Sequence, residues 1–168
     1  MRRRMTFSKP ILCILVAAAL LAAAAFLNLN DRDGSMDLVL TDADTGAEFG
    51  RWPVKAGDVF SVTFVHSVNQ TPVTDYYEVR EDGEFYVTAT KYYGFGAGVQ
   101  TEIEDEQTLT YTEDGGMLVS GFNLKMTGMV YVVVMVSDHT LEIGGEEVSL
   151  RDLCGRGADV TFTLEVCE

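Results

Sequence analysis

The residues that decide the fold are VTDYYEVREDGEFYVTATKY, positions 73–92. Two runs of strand-forming residues, Val73–Arg80 and Glu84–Tyr92, stand on either side of Asp82-Gly83. Apolar and polar residues largely alternate in both runs, which is typical of strands with one buried face. Because an Asp-Gly pair accepts the backbone angles of a tight turn, this stretch predicts an antiparallel β-hairpin.

The same signals continue along the chain on both sides of this hairpin. A second hairpin is predicted around Asp114-Gly115-Gly116 and a third around Gly144-Gly145. Further alternating strands are predicted near Leu38–Leu40, over Val59–Val65 and over Asp159–Val166. We therefore expect an all-β fold, an antiparallel β-sandwich or partly open barrel of about nine short strands.

One segment of the domain is apolar without alternation. Met129–Val136 is a continuous run that contains several valines and no charge. Such a run predicts a central strand that is buried on both faces. No long amphipathic pattern follows residue 30, and only a one-turn helix over Ser149–Leu153 is expected.

The first 30 residues differ from the rest of the chain. A basic stretch, residues 1–10, precedes the uncharged run Ile11–Leu27. Basic residues stay on the cytoplasmic side, so residues 37–168 are predicted to form an exported β-domain after a linker at 31–36. Residues 11–29 are interpreted as one hydrophobic helix that anchors the domain outside the cytoplasmic membrane. The alternative is a secretory signal that is cleaved near Ala25.

The charge of the chain argues against a nucleic-acid partner, and the positions of its cysteines argue against a disulfide. Residues 31–168 contain 8 basic and 26 acidic residues, a formal charge of −18. Such a surface repels phosphates, so no nucleic-acid partner is expected. Cys154 and Cys167 flank the last predicted strand, and a strand of that length separates its ends by about 25 Å. A disulfide between them is not expected, because its Cα atoms must lie within about 7 Å.

The segment HSVNQTPVTDYY, residues 66–77, is the first candidate site. It connects the strand over Val59–Val65 to the next one. If these strands pair across a wide connection, His66 and Asp75 face each other near its base, and the carboxylate would fix the imidazole tautomer. Contact with a ligand and a purely structural histidine that ties the strand ends remain alternatives. Ser67 and Thr71 are included as recognition candidates.

The second candidate is the glycine-rich stretch YYGFGAG, residues 92–98. Its glycines let another surface approach the backbone closely. No lysine followed by serine or threonine comes after it, so a phosphate loop is excluded. The stretch is interpreted either as a structural bend or as a recognition loop with candidates Tyr93, Phe95, Gly96 and Gly98.

No sequence pattern predicts a catalytic residue, a metal site or a cofactor. Glu102, Glu104, Asp105 and Glu106 are close in sequence but match no calcium-loop spacing. A solvated acidic loop is the preferred interpretation. The chain has neither zinc-ligand spacing nor a dinucleotide fingerprint.

The order of these segments resembles the bacterial domain-of-unknown-function family numbered eighteen-fifty. The resemblance is carried by a Trp-Pro segment, by HSVNQTPVTDYY, by ATKYYGFGAG at 89–98 and by VSDHTLEIGGEEVSL at 136–150. Asp75 departs from it, because glutamate is more usual there, and so does Val99-Gln100, where Leu-Pro is common.

The resemblance implies an association rather than a chemistry. Domains of this kind look like companions of TAXI-type tripartite ATP-independent periplasmic (TRAP) transporters. We therefore expect a non-enzymatic accessory domain whose partner is the TRAP permease or the solute-binding protein. The alternatives are a small-ligand or metal-binding module, or a hydrolase that uses His66.

Overall fold

A computed structural model describes residues 35–94, 103–104, 106–134 and 137–167. This part of the chain forms eleven β-strands and one short helix. They are β1 (Met36–Asp42), β2 (Glu48–Val54), β3 (Val59–Val65), β4 (Pro72–Val79), β5 (Phe85–Tyr92), β6 (Thr108–Tyr111), β7 (Met117–Lys125), β8 (Val130–Val132), β9 (His139–Ile143), β10 (Glu146–Ser149), α1 (Leu150–Cys154) and β11 (Asp159–Val166). The strands form two antiparallel sheets, which confirms the predicted fold class.

The larger sheet contains seven strands in the order β10-β9-β3-β4-β5-β7-β6. All three predicted hairpins are present in it, as β4–β5, β6–β7 and β9–β10. Of the remaining neighbours, β3 and β4 are joined by a short turn, whereas β3 with β9 and β5 with β7 bring together segments that are farther apart in the chain. The turn signals of the sequence therefore describe this sheet well.

The smaller sheet contains four strands in the order β2-β1-β11-β8. Its central pair joins the two ends of the domain, because β1 and β11 pair from Met36 opposite Val166 to Asp42 opposite Val160. The backbone N–H of Cys167 extends this ladder by donating to the carbonyl of Ser35 at 3.0 Å.

Strand β2 is the main element that the sequence analysis missed. Its sequence, EFGRWPV, contains a glycine and a proline, which argue against a regular strand. Both fit here because β2 is an edge strand, where a missing N–H can face solvent. A Cβ at Gly50 would lie 2.5 Å from the indole of Trp52, so a larger residue at this position would require that ring to move.

The prediction for Met129–Val136 is wrong. In the described part of this run, residues 129–134, only Val130–Val132 forms a strand, β8, and it lies at the edge of the small sheet. Val130 is 51% exposed and Val132 is 53% exposed, whereas Tyr131 between them points inward. A run of apolar residues reports strand propensity but not the number of neighbours, and here one side of the strand faces outward.

The main hydrophobic core lies between the two sheets. Phe60, Tyr77 and Phe85 of the large sheet contact one another at ring distances of 5.0 to 5.7 Å. Phe162 of the small sheet packs against Phe60 at 6.4 Å. Each fully buried side chain of this size stabilises the fold by about 1.5–3 kcal/mol. The aromatic contacts thus hold one sheet on the other.

The short helix α1 confirms the predicted helical turn. Ser149 is its N-cap and accepts a hydrogen bond from the backbone N–H of Asp152 at 3.1 Å. Cys154 and Cys167 are both free, as expected. Within the described ranges there is no helix with the length and apolar character needed to cross a membrane. The predicted anchor lies outside those ranges.

Candidate functional site

The turn between β3 and β4 contains the first group of predicted site residues. The backbone N–H of His66 donates to the carbonyl of Thr71, and that of Gln70 donates to the carbonyl of His66, both at 2.9 Å. Nδ1 of His66 accepts from the backbone N–H groups of Val68 and Asn69 at 3.3 Å each. Because Nδ1 is held by the turn, any contact of this imidazole with a ligand would use Nε2.

His66 and Asp75 do not face each other, so this prediction is wrong. The strands do pair, but Val62 is the residue opposite Asp75, and the ladder ends at Val65 and Pro72. His66 therefore lies about 13 Å along the strand from the level of Asp75. The physical reason is that the connection is a tight turn closed at residue 71, not a wide loop.

Asp75 instead belongs to a polar network between the sheets. Its Oδ1 accepts from the hydroxyl of Thr90 at 2.7 Å, and its Oδ2 accepts from the hydroxyl of Tyr131 at 3.3 Å. The hydroxyls of Tyr131 and Tyr77 are 2.7 Å apart. Burial raises the pKa of Asp75, and the hydrogen bonds from Thr90 and Tyr131 only partly oppose this. The network joins β4 and β5 of the large sheet to β8 of the small sheet.

His139, the first residue of β9, lies beside this network. Its ring stacks on Phe64 at 5.6 Å and meets the edge of Tyr131 at 5.7 Å. The side chain is 5% exposed, and Nδ1 has no hydrogen-bond partner among the described residues. Burial lowers the pKa of His139, although the charge of Asp138 opposes this. The lowered pKa favours the neutral form of the imidazole at pH 7.

These residues surround a cleft of about 810 Å³, which we call the β8 cleft. It lies between the C-terminal end of β3, the start of β9 and the strand β8. Its lining consists of Phe64, Val65, His66, Ser67, Gln70, Val130, Tyr131, Val132, Val134, Ser137 and His139. None of these is Asp, Glu, Lys or Arg. A cleft of this volume is in the range of ligand-binding sites, and its walls are mainly apolar.

The structure distributes the predicted site residues over several places. His66 and Ser67 line the β8 cleft. Thr71 is not part of the cleft lining, and its hydroxyl donates to the carbonyl of Tyr93 at 3.1 Å. The hydroxyl of Tyr93 donates to Asp114 at 2.7 Å, away from the cleft lining. The predictions for Phe95, Gly96 and Gly98 lie outside the described residues.

Sequence reasoning missed two residues of the cleft, Tyr131 and His139. Tyr131 was counted as one more apolar residue of a buried run. The signal that could have found it is its position between two valines, since alternation at an edge strand turns the middle side chain inward. His139 is buried where β9 pairs with β3 and lies opposite Phe64, a contact that no local sequence pattern indicates.

The arrangement favours binding through apolar contact and single hydrogen bonds. Within the described residues, no group of three or more His, Cys, Asp or Glu side chains is placed to hold a metal ion. Glu104 and Glu106 are exposed, while Glu102 and Asp105 lie outside the described ranges. The cleft lining offers imidazole, hydroxyl and amide side chains beside an apolar wall; the polar residues are His66, Ser67, Gln70, Ser137 and His139.

Comparison with protein families identifies the family of this domain. The model of the family "Domain of unknown function (DUF1850)" matches residues 60–150. The chain belongs to this family. The matched range of this DUF1850 protein runs from β3 to the first residue of α1, so it includes the whole lining of the β8 cleft. No curated protein and no solved structure matches the chain.

Proposed function

We propose that this DUF1850 protein is a non-enzymatic accessory domain of a TAXI-type TRAP solute transporter. It acts outside the cytoplasmic membrane, is anchored by the hydrophobic helix over residues 11–29, and binds the permease or the solute-binding protein. The transporter association is taken from the family resemblance, and the location from the basic stretch before the uncharged run Ile11–Leu27.

The observation that carries the binding role is the β8 cleft itself. The domain has a formal charge of −18 over residues 31–168, yet the cleft lining has no charged residue of either sign. Three valines at its rim, Val130, Val132 and Val134, are 40–53% exposed. Grouped exposed apolar residues with a polar surround are typical of interaction sites. This surface is therefore the contact that we assign to the transporter.

The test is an affinity pull-down of the tagged full-length protein from cross-linked, detergent-solubilised membranes, read by mass spectrometry. The variant Val132→Asp places a charge at the rim of the β8 cleft. Val166→Asp is the matched control, because Val166 is also exposed, at 66%, but lies at the far end of β11. A TRAP permease or solute-binding protein should be enriched with the wild type and with Val166→Asp, and lost with Val132→Asp. Equal recovery with both variants would remove the cleft from the contact, and no recovery with the wild type would remove the transporter association.

A second candidate function is the binding of a small neutral molecule, and Nδ1 of His139 favours it. Nδ1 of His139, a residue of the cleft lining, is buried and has no partner among the described residues. A ligand that reached it would recover the free energy that this costs, typically about 1–3 kcal/mol. We expect medium-chain alcohols or amides to raise the unfolding temperature of the wild type more than that of His139→Phe, because only the imidazole can make the bond. Equal shifts in the two proteins would contradict this candidate. The third alternative, hydrolysis by His66, gains no support from an Nδ1 that already accepts from the turn.

A further inference from the structure

The outer edge of β8 has backbone groups with no strand beside them. In the antiparallel ladder with β11, Tyr131 lies opposite Val160, and Phe162 N–H donates to the carbonyl of Met129 at 3.0 Å. The backbone groups that bond β11 are thus those of residues 129, 131 and 133. By alternation, the N–H and C=O groups of Val130 and Val132 point away from β11. Among the described residues, no other strand pairs with β8.

The β8 edge carries nothing that prevents pairing, and among the described sheet edges it shares this property with β6, whose sequence is Thr-Leu-Thr-Tyr. Proteins protect exposed strand edges with charged residues or proline. Edge strand β2 has Glu48, Arg51 and Pro53, and edge strand β10 has two adjacent exposed glutamates, Glu146 and Glu147. The sequence of β8 is Val-Tyr-Val, with half-exposed valines. Such an edge is suited to being covered.

We infer that the β8 edge is a strand-addition site for an extended, apolar segment of the transporter partner with basic flanking residues. The segment adds antiparallel or parallel to β8 through the backbone groups of Val130 and Val132, and its inward side chains enter the β8 cleft above Phe64 and Tyr131. Main-chain hydrogen bonds give such peptide complexes their affinity, and side-chain pockets give specificity. This inference rests on the proposed accessory function and names the chemistry of its contact.

Charge selects the occupant. The uncharged cleft accepts neutral side chains, whereas its surroundings are acidic, with exposed Asp159 directly opposite Val132 in the ladder. Basic flanks on the incoming segment would be attracted by this surface. A second copy of the chain is a poorer occupant, because two domains of −18 each repel one another.

The test uses the full-length protein in detergent and the synthetic peptide acetyl-Lys-Lys-Val-Thr-Val-Thr-Val-Lys-Lys-amide, with binding measured by calorimetry. Two N-methylated forms of this peptide serve as matched probes, one methylated at the valines and one at the threonines. Only alternate N–H groups of an added strand face the edge. We therefore expect one form to bind at least tenfold more weakly than the parent peptide and the other to bind within about twofold of it.

A variant of the protein tests the backbone groups of β8 that would form these hydrogen bonds with the peptide. Val132→Pro removes an N–H that faces outward and leaves the ladder to β11 intact. It should weaken peptide binding at least tenfold while the unfolding midpoint stays near that of the wild type. A peptide with glutamate in place of every lysine should bind more weakly than the parent in low salt.

The outcomes separate this inference from the proposed function. Equal binding of both N-methylated forms, or no binding of the parent peptide, overturns strand addition even if the pull-down recovers a TRAP component. Self-association of the wild type that Val132→Pro abolishes, seen by analytical ultracentrifugation, also overturns it, because the occupant is then a second copy. If only one of the two N-methylated peptides binds weakly but the pull-down recovers no TRAP component, the strand-addition site stands. Only the transporter is then excluded as its partner.

Discussion

Asp75 brings a carboxylate into the space between two sheets, where water would ordinarily be needed to hold its charge. Hydroxyls of Thr90 and Tyr131 replace part of that water, but burial still raises the pKa of Asp75. A carboxylate that is this costly to ionise does not make the fold more stable at neutral pH. It does fix the position of Tyr131, and with it the inner wall of the β8 cleft.

The raised pKa of Asp75 predicts how stability depends on pH. The folded state holds this proton more tightly than the unfolded chain, so the stabilisation is complete below the unfolded pKa and is lost as pH rises through the folded value. Asp75→Asn has no such proton. The free energy of unfolding of the wild type minus that of Asp75→Asn should therefore fall between pH 4 and pH 7, as measured by urea unfolding and fluorescence of the single tryptophan, Trp52.

The subtraction in that experiment is its control, because carboxylates elsewhere titrate alike in both proteins. A difference that stays constant over this range would show that burial does not affect the ionisation of Asp75. A difference that rises with pH would mean that the hydrogen bonds from Thr90 and Tyr131 outweigh burial.

His139 makes an opposite prediction at the same scale. Burial lowers its pKa, so its ring should titrate below the ordinary value of about 6.5. Nuclear magnetic resonance of the imidazole protons between pH 4 and pH 8 measures this directly. Stability that depends on neutral His139 is complete above the unfolded pKa and is lost as pH falls below it. A titration midpoint above 6.5 would mean that Asp138 dominates.

At the scale of strands and turns, local patterns were predictable and neighbours were not. The three hairpins follow from short turn sequences that determine their own geometry. Strand β2 pairs with β1 and β8 pairs with β11, and the two pairs form one sheet through the pairing of β1 with β11. The edge positions of β2 and β8 therefore depend on a contact between segments that are distant in the sequence. The site follows the same rule, since Tyr131 reaches Asp75 across 56 positions of sequence. No local pattern contains that contact.

Gly121 in β7 gives an element-scale prediction. Its φ is +96°, and a Cβ there would lie 2.3 Å from the backbone oxygen of Glu106. Gly121→Ala should therefore cost more than the roughly 1–3 kcal/mol of backbone strain alone, because the chain at Glu106 must also move. The matched control is Gly128→Ala, where φ is +82° but no atom lies within 4 Å of the added Cβ.

Urea unfolding of both glycine variants measures the difference. Gly128→Ala should show the strain cost only, and Gly121→Ala a clearly larger loss. If the two variants lose the same free energy, the close approach of residues 106 and 121 is not present in solution.

At the scale of the whole molecule, the dominant property is electrostatic repulsion among the acidic side chains. The excess of acidic residues is only partly offset by surface ion pairs, such as those of Arg51 with Asp37, Glu48 and Glu165. Exposed pairs of this kind contribute little each. The compact state thus concentrates negative charge that the unfolded chain spreads out, which opposes folding.

Salt should therefore stabilise the domain. Sodium chloride at about 0.3 M screens charges separated by more than roughly 6 Å, so the unfolding midpoint should rise relative to low salt. The double variant Glu146→Gln, Glu147→Gln removes two exposed charges of β10. It should have a higher midpoint at low salt and a smaller response to added salt. A midpoint of the wild type that falls with salt would show that attractive pairs, not repulsion, dominate.

The pairing of β1 with β11 also determines how the domain responds to force. Residues 35 and 167 lie side by side at the same end of one antiparallel ladder. A load applied between them acts along the hydrogen bonds and not along the strands. The hydrogen bonds of the ladder then break one after another, from the pair Met36–Val166 toward the pair Asp42–Val160. The domain should consequently yield to a small pull on its two ends, and the small sheet should open before the seven-stranded sheet is strained.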